Sequence, residues 1–428
     1  MRFLLLTPGT GHFFCGSCLR DNALAVALRR LGHEVDVLPL YLPLVLEEPD
    51  GDPRVRMGGI NMYLQQKSRL ARWLPRPLAN ALDRPGLLRM AARRAKLTEA
   101  HDLGAMTVSM LRGPEGRQAH EVRKLVDAAA ALPRPDVVVL SNLMLAGLAR
   151  PLRETLGRPV VTTLQGEAPF LDGLPQSFRD DAWQVLRAQT TAIDALVPVS
   201  HSYGRVMQER LGVPAAQLYP VRNGIALDDF AAAPPPLATR RPPTVGYLAR
   251  MCADKGLPVL VEAFLHLVRR GRVPGVRLRA AGVMLREDEP VVESVRRRLA
   301  TELPDVSVEF LPNLQRSDKL EALRSFSVLS VPALYGESFG LYVLEALAAG
   351  VPVVQPDCGA FPELLEATGG GVLCPPGDAA ALAVGLEELL VDGERAQACA
   401  DRGRAAVLAE FDAMRMAREF AAVCGVVA

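Results

Sequence analysis

Two glutamates, Glu337 and Glu345, stand eight positions apart in the run Tyr335-Gly336-Glu337-Ser338-Phe339-Gly340-Leu341-Tyr342-Val343-Leu344-Glu345. The apolar stretch from Phe326 to Pro332 before it reads as a buried strand. A loop then opens a helix, and a second strand follows near Pro352. The first N–H groups of a helix have no internal partner and carry about half a positive charge. The N–H groups around Ser338, Phe339, Gly340 and Leu341 therefore suit a phosphate. Eight residues of helix turn through about 800°, which puts both carboxylates on one side, one for each end of an elongated polar ligand.

Two cations follow another strand-like run, Thr244–Leu248. Arg250 can grip two oxygens at once and Lys255 adds a point charge, a pairing suited to a diphosphate. The competing reading is a surface ion pair with Asp254. Near the start, Gly9, Gly11 and Gly16 follow the run Phe3–Thr7 and allow a ligand close to the backbone at a helix start. Their spacing is not that of a dinucleotide-binding G-x-G-x-x-G. Cys15 and Cys18 form a C-x-x-C with no second pair nearby, which favours packing over zinc or redox chemistry. His12, His33 and His201 read as capping or packing residues. Asp50-Gly51-Asp52 lies in a proline-rich loop, and no metal site and no cofactor are expected.

These residues need a scaffold, and the strand-like runs supply one. Phe3–Thr7, Glu34–Leu40, Val137–Ser141, Pro159–Leu164 and Ala195–Ser200 alternate with helical patterns in the first half. Thr244–Leu248, Arg277–Ala281, Ser307–Phe310, Val328–Pro332 and Pro352–Gln355 do so in the second. Short strands, apolar on both faces and separated by helices, form parallel sheets covered on both sides. The stretch Ala231 to Pro236, followed by Arg240-Arg241-Pro242-Pro243, reads as a linker. The expectation is an α/β protein of two doubly wound, Rossmann-like domains facing across a cleft, with ligands at the carboxyl ends of the strands. The expected bounds are 1–228 and 229–410, with 411–428 as a closing helix that crosses back to the first domain. Residues about 61–130 read as a helical insertion. Its segment Lys67 to Lys96 holds nine Lys or Arg and one acid, Asp83. A solvated face is the default reading of such a run; membrane-surface docking or an anionic acceptor are the functional alternatives.

The whole chain of 428 residues is 49% apolar with a net charge of +1, which fits a globular protein and gives no sign of a nucleic-acid partner. Seven scattered cysteines suit a reducing compartment. The N-terminus lacks the pattern of a signal peptide, and no stretch has the roughly 18 apolar residues that span a bilayer. The expected location is the cytoplasm, with peripheral membrane contact through 67–96 as an option.

Gly336-Glu337-Ser338-Phe339-Gly340-Leu341, with Leu344-Glu345-Ala346-Leu347-Ala348, Gly350 and Pro352-Val353, resembles the E-x7-E signature of family 4 retaining glycosyltransferases. These use nucleotide-sugar donors and have the GT-B fold of two Rossmann domains. The resemblance runs along nearly the whole chain. Gly32-His33-Glu34-Val35 and Val197-Pro198-Val199-Ser200 are similar to family segments, as are Val221-Arg222-Asn223-Gly224-Ile225 and Gly359-Ala360-Phe361-Pro362-Glu363. Glu410-Phe411-Asp412 through Val423 resembles the closing helix. The resemblance implies that Arg250 and Lys255 neutralise the donor diphosphate, with help from the N–H groups of Ser338 to Leu341. It implies that Glu345 binds the ribose hydroxyls and that Glu337 contacts the transferred sugar. Gly16 matches the second glycine of an N-terminal pair, with Cys15 in the place of the first. The nucleobase would meet the backbone around Leu311–Leu314.

The chain also departs from the pattern. Gln165-Gly166-Glu167 stands where the family often has His-Gly, and Ser141-Asn142 replaces another frequent histidine. Asn142, Gln165 and Glu167 are the candidate sugar or acceptor contacts, and Glu167 is the new acid in that loop. The implied reaction is transfer of a hexosyl-type sugar to an acceptor hydroxyl, with retention and without a metal. The acceptor is open: a glycan, a lipid or a small molecule. Two alternatives share the fold, a nucleotide-sugar epimerase or hydrolase, and an inactive nucleotide-sugar-binding protein.

Overall fold

Strands buried on both faces dictate the architecture. The computed structural model describes residues 1–8, 16–41, 56–58, 64–66 and 100–428. It divides into two compact units, Met1–Arg222 with Met414–Ala428, and Asn223–Ala413. Each unit holds one six-stranded parallel sheet among the described residues.

The first sheet contains β1 (Arg2–Thr7), β2 (Glu34–Tyr41), β3 (Arg56–Gly58), β4 (Val137–Leu140), β5 (Val160–Leu164) and β6 (Ala195–Pro198), in the order β3-β2-β1-β4-β5-β6. Every residue of β4, β5 and β6 is buried, which a parallel sheet wrapped by helices requires. Its helices are α1 (Gly16–Arg30), α2 (Ala100–Leu111), α3 (Ala119–Ala130), α4 (Ala149–Leu156), α5 (Glu167–Asp172), α6 (Gln176–Gln189) and α7 (His201–Leu211). The last strand stops at Pro198, short of Ser200, because Ser200 caps α7: its hydroxyl accepts from Tyr203 N–H at 3.0 Å. The basic segment 67–96 lies outside the described residues. So do Cys15, His12 and the glycines before Gly16.

The second sheet repeats the topology. It holds β7 (Thr244–Leu248), β8 (Arg277–Gly282), β9 (Val308–Pro312), β10 (Val328–Leu329), β11 (Val353–Pro356) and β12 (Gly371–Cys374), in the order β12-β11-β10-β7-β8-β9. Its helices are α8 (Leu257–Arg270), α9 (Glu289–Glu302), α10 (Arg316–Arg324), α11 (Leu341–Ala348), α12 (Phe361–Thr368), α13 (Ala379–Val391) and α14 (Gly393–Glu410). Strand β10 is far shorter than the run Phe326 to Pro332. Val331 N–H turns to the Gln355 side chain at 3.3 Å rather than to a backbone carbonyl, and Pro332 has no N–H to offer.

In both sheets the chain winds outward from the first strand, then returns to its other side. The gaps β1/β4 and β7/β10 are therefore switch points, where the loops at the carboxyl ends diverge and leave a crevice. The closing helix α15 (Ala413–Val427) lies almost wholly in the first unit. There Phe420 is fully buried with its ring 6.5 Å from that of Phe3. The proline-rich stretch is no slack tether: it is held on the second unit. Arg240 is buried and donates to the carbonyls of Phe326 at 2.9 Å and Ala349 at 3.0 Å. Burial lowers its pKa to about 10.

Candidate functional site

Among the second-unit residues singled out above, Lys255 and Glu337 meet at the β7/β10 switch point. Arg250 and Lys255 follow β7, and Glu337 follows β10. Gly256 locks the first loop in place. It opens α8 in a left-handed conformation, and a Cβ there would stand 1.8 Å from the Pro332 carbonyl oxygen. Gly359 does the same for the second, since a Cβ would stand 2.5 Å from the Glu337 nitrogen; Ala360 N–H then bonds the Glu337 carbonyl at 2.9 Å. The segment Gly359-Ala360-Phe361-Pro362 is thus a cradle for the Glu337 backbone.

The Lys255 ammonium donates to Glu337 Oε2, although 82 residues separate them. It lies 5.0 Å from the centre of the Tyr335 ring and 5.7 Å from that of Tyr342, within cation–π range of both. Tyr342 Oη also donates to Glu337 Oε2, at 3.0 Å. Burial works against the lysine's charge, but the Glu337 carboxylate outweighs it and holds the ammonium above the ordinary lysine range. Burial first, then the Glu337 charge, pushes both phenols up, Tyr335 to about 12. Both phenols stay neutral at physiological pH.

Helix α11 starts beside this cluster. Gly340 precedes it in a left-handed conformation, and Val343 N–H closes a tight first turn on the Gly340 carbonyl at 2.9 Å. Ser338 and Phe339 are buried, and Leu341 is the first helical residue. The Val343 N–H is thus taken, while those of Leu341 and Tyr342 have no carbonyl four residues back within the helix, the arrangement that suits an anion. Here the eight-residue rotation argument fails. Glu337 lies in the loop ahead of α11, and the left-handed residue at 340 breaks the helical phase; Glu345 alone is helical. The two carboxylates also have different partners, because Glu345 Oε1 accepts from Lys319 Nζ of α10 at 2.8 Å.

Arg250 does not pair with Asp254. Its Nε and Nη2 donate to the two oxygens of Asp288, at 2.9 and 3.0 Å, and Nη2 also reaches Glu287. The Arg250 carbonyl accepts from Tyr247 Oη at 2.6 Å, which fixes the backbone beneath the guanidinium. Burial lowers the guanidinium's pKa, but Asp288 and then Glu287 more than reverse this and hold it above the usual arginine range. At the end of β9, where nucleobase contacts are expected, Asn313 adopts a φ of 56° and its side chain clasps the Met284 N–H and carbonyl, each at 3.1 Å.

The first-unit candidates are less available. Gly16 is exposed at the start of α1. Asn142 Oδ1 accepts from Met144 N–H at 3.0 Å, a helix cap. The Gln165 amide nitrogen donates to buried Asp21 and to Thr163, at 3.0 and 3.1 Å, and to the Ser141 carbonyl. Glu167 is buried and accepts from the N–H groups of Leu143, Gln165 and Gly166 at 3.0–3.1 Å and from Tyr203 Oη at 2.9 Å. That geometry makes Glu167 a clamp on the β4 and β5 loops rather than a base open to an acceptor. His33 stacks edge-on against Phe3 at 5.4 Å, and His201 opens α7. Cys18 is buried with Sγ 3.9 Å from Thr7 Oγ1.

Sequence reading did not find Asp288, Glu287, Lys319 or the roles of Tyr335 and Tyr342. The tyrosines sit inside the recognised run and were legible as neighbours. The acids and Lys319 depend on which strands and helices lie side by side, which no local spacing reveals. Among the described residues no group of three or more His, Cys, Asp or Glu side chains is placed to hold a metal ion, and no helix is long and apolar enough to cross a membrane.

Comparison with known proteins agrees with this architecture. Residues 109–229 match the model described as Glycosyltransferase Family 4, and residues 232–406 match Glycosyl transferases group 1. A glycogen synthase of Mycobacterium tuberculosis is 29% identical over 290 residues, 65% of this chain and 66% of that protein. A phosphatidyl-myo-inositol mannosyltransferase of Mycobacterium leprae is 33% identical over 219 residues, 48% of this chain and 52% of that protein. The matches thus span less than two thirds of these relatives' own lengths. Among solved structures, Anabaena Alr3699/HepE in complex with UDP and glucose superposes with a TM-score of 0.69 at 17% identity, over 100% of both chains. A sucrose-phosphate synthase from Thermosynechococcus elongatus gives 0.69 at 19% identity, over 99% of this chain and 98% of that one. With the two family models adjoining along most of the sequence and the same double parallel-sheet fold in its structural neighbours, the chain belongs to the family 4, group 1 glycosyltransferases of GT-B fold.

Proposed function

We propose that this protein transfers a hexosyl-type sugar from a nucleoside diphosphate sugar to an acceptor hydroxyl, with retention at the anomeric carbon. The observation that carries the reading is the cluster at the β7/β10 switch point. Lys255 pairs there with Glu337 ahead of the start of α11, and Arg250 follows the same strand, β7, with its guanidinium on Asp288 and Glu287. The leaving group of such a donor is a nucleoside diphosphate, so the chemical need is to stabilise negative charge as it develops. Preorganised donors aimed at the phosphates meet that need, and side chains and backbone supply them without requiring a metal. Glu345 accepts from Lys319, and Glu337 from Lys255 and Tyr342; in this reading Glu345 takes the ribose hydroxyls and Glu337 the hydroxyls of the moving sugar. That the fold neighbour Alr3699/HepE holds UDP and glucose, and that relatives are named as a glycogen synthase and a mannosyltransferase, fits a hexose donor.

Glu167 is committed to backbone donors and does not serve as base in this reading. The departing phosphate takes the acceptor's proton instead. The test is incubation with UDP-, GDP- and ADP-sugars, with and without an acceptor panel, followed by release of nucleoside diphosphate and by proton NMR of the product anomer. Acceptor-dependent release with the donor's anomeric configuration kept supports the reading. Turnover of donor alone to a new sugar makes the protein an epimerase or hydrolase, and binding without turnover on any acceptor makes it a binding protein.

A further inference from the structure

Two neighbouring acids on one guanidinium differ in every respect that matters. Asp288 grips the Nε edge of Arg250 with both oxygens, at 2.9 and 3.0 Å, and its Oδ2 also accepts from Leu285 N–H at 2.9 Å. Its side chain is only 4% exposed, and its carbonyl accepts from Val292 N–H in the first turn of α9 at 3.1 Å. The loop that carries it is tied down further, by Met251 N–H on the Val283 carbonyl at 2.8 Å and by the Asn313 clasp on Met284. Glu287, in contrast, is 32% exposed, and its carboxylate has no bond besides Arg250 Nη2 among the described residues. A guanidinium has five N–H donors in a rigid fork. Asp288 takes Nε–H and one of the Nη2 hydrogens, Glu287 takes the other, and Nη1 lies at the far side of the fork.

We propose that Asp288 is a positioning residue that aims Arg250 at the donor diphosphate, while Glu287 occupies a phosphate oxygen's place and is displaced when the donor binds. The proposal rests on the reading of Arg250 as a diphosphate ligand. Carboxylate and phosphate oxygens compete for the same guanidinium hydrogens with the same geometry. The exposed, singly bonded Glu287 is the one that yields, because an exposed ion pair is weak. Buried Asp288 holds through three hydrogen bonds and keeps the fork from turning away.

The test is calorimetric titration of the full chain with UDP, GDP and ADP at fixed ionic strength. Glu287→Gln and Asp288→Asn each remove one negative charge, so a purely global field effect moves affinity the same way in both. The proposal requires opposite signs. Glu287→Gln binds the responding nucleotide about two- to five-fold tighter, the worth of one exposed ion pair. Asp288→Asn binds it about ten-fold more weakly, the worth of one charge-assisted hydrogen bond. In an Arg250→Lys background, which lacks the fork, Asp288→Asn changes affinity no further. Shifts in the same direction, a weaker-binding Glu287→Gln, or an undiminished Asp288→Asn loss in the lysine background overturns the proposal. If Asp288→Asn does not fold, the Glu287→Gln arm decides alone. Failure of the donor reading looks different: no nucleotide binds the unaltered protein, or Arg250→Ala binds as well as it does.

Discussion

Replacing Lys255 by Met separates what this lysine does for the fold from what it does for chemistry. The change leaves the Glu337 carboxylate, 10% exposed at its side chain, with Tyr342 Oη as its remaining side-chain partner. Breaking a buried pair by removing one partner costs about 3–5 kcal/mol. The lysine side chain is 21% exposed, so water reaches the vacated site, and the cost falls to about 2–3 kcal/mol. For a unit of this size that lowers Tm by roughly 5–10 °C. Glu337→Gln strands the ammonium instead and costs a similar amount. The double variant Lys255→Met/Glu337→Gln strands no charge, so it recovers about 1–3 kcal/mol relative to the sum of the singles. Activity follows another rule. Lys255→Met and the double variant both lack the lysine's cation at the diphosphate, so turnover stays about 10²- to 10³-fold down in both. The assays are urea and thermal unfolding in a double-mutant cycle, alongside nucleoside diphosphate release. Additive stability losses in the double variant refute the pair. Normal turnover by a folded Lys255→Met refutes the lysine's place in the charge sink.

Lys319→Met frees Glu345 from its 2.8 Å partner, and donor KM is expected to rise about three- to ten-fold with kcat little changed, read from initial rates across donor concentration. Gly256→Ala forces a side chain into a left-handed position 1.8 Å from a carbonyl oxygen; a loss of more than about 2 kcal/mol by urea titration is expected, against under about 1 for Gly393→Ala, which has open space and no left-handed backbone. Glu167→Ala orphans three backbone N–H groups and Tyr203 Oη, so stability is expected to fall by about 2–4 kcal/mol while calorimetric nucleotide affinity stays the same.

Much of the fold is written in the sequence because parallel sheets buried on both faces leave apolar runs such as Val137–Leu140 that nothing else explains. Strand ends were harder, since they depend on partners. Ser200 belongs to a helix cap and Val331 turns to Gln355, and neither fact is local. The proposed donor site was legible where one short run holds it, as with Glu337, Phe339, Gly340 and Glu345. Its counter-charges were not. Asp288 meets Arg250 because β8 lies beside β7, and Lys319 meets Glu345 because α10 lies near α11. Glu167 shows the converse: an acid in the right loop looked reactive until its hydrogen bonds showed both oxygens engaged.

The central claim is that the β7/β10 switch point of the second unit binds a nucleoside diphosphate through Arg250 and Lys255. Titration of the protein and of the Arg250→Ala/Lys255→Met variant with UDP, GDP and ADP, with thermal melts of both, tests it most directly. One nucleotide is expected to bind the unaltered protein and to stabilise it by about 2.7 kcal/mol at a hundred times its Kd. The double variant is expected to retain a cooperative melt and lose at least about 10²-fold in affinity, two charge-assisted contacts being gone. Equal affinity in the two proteins, or no response to any of the three nucleotides, contradicts it.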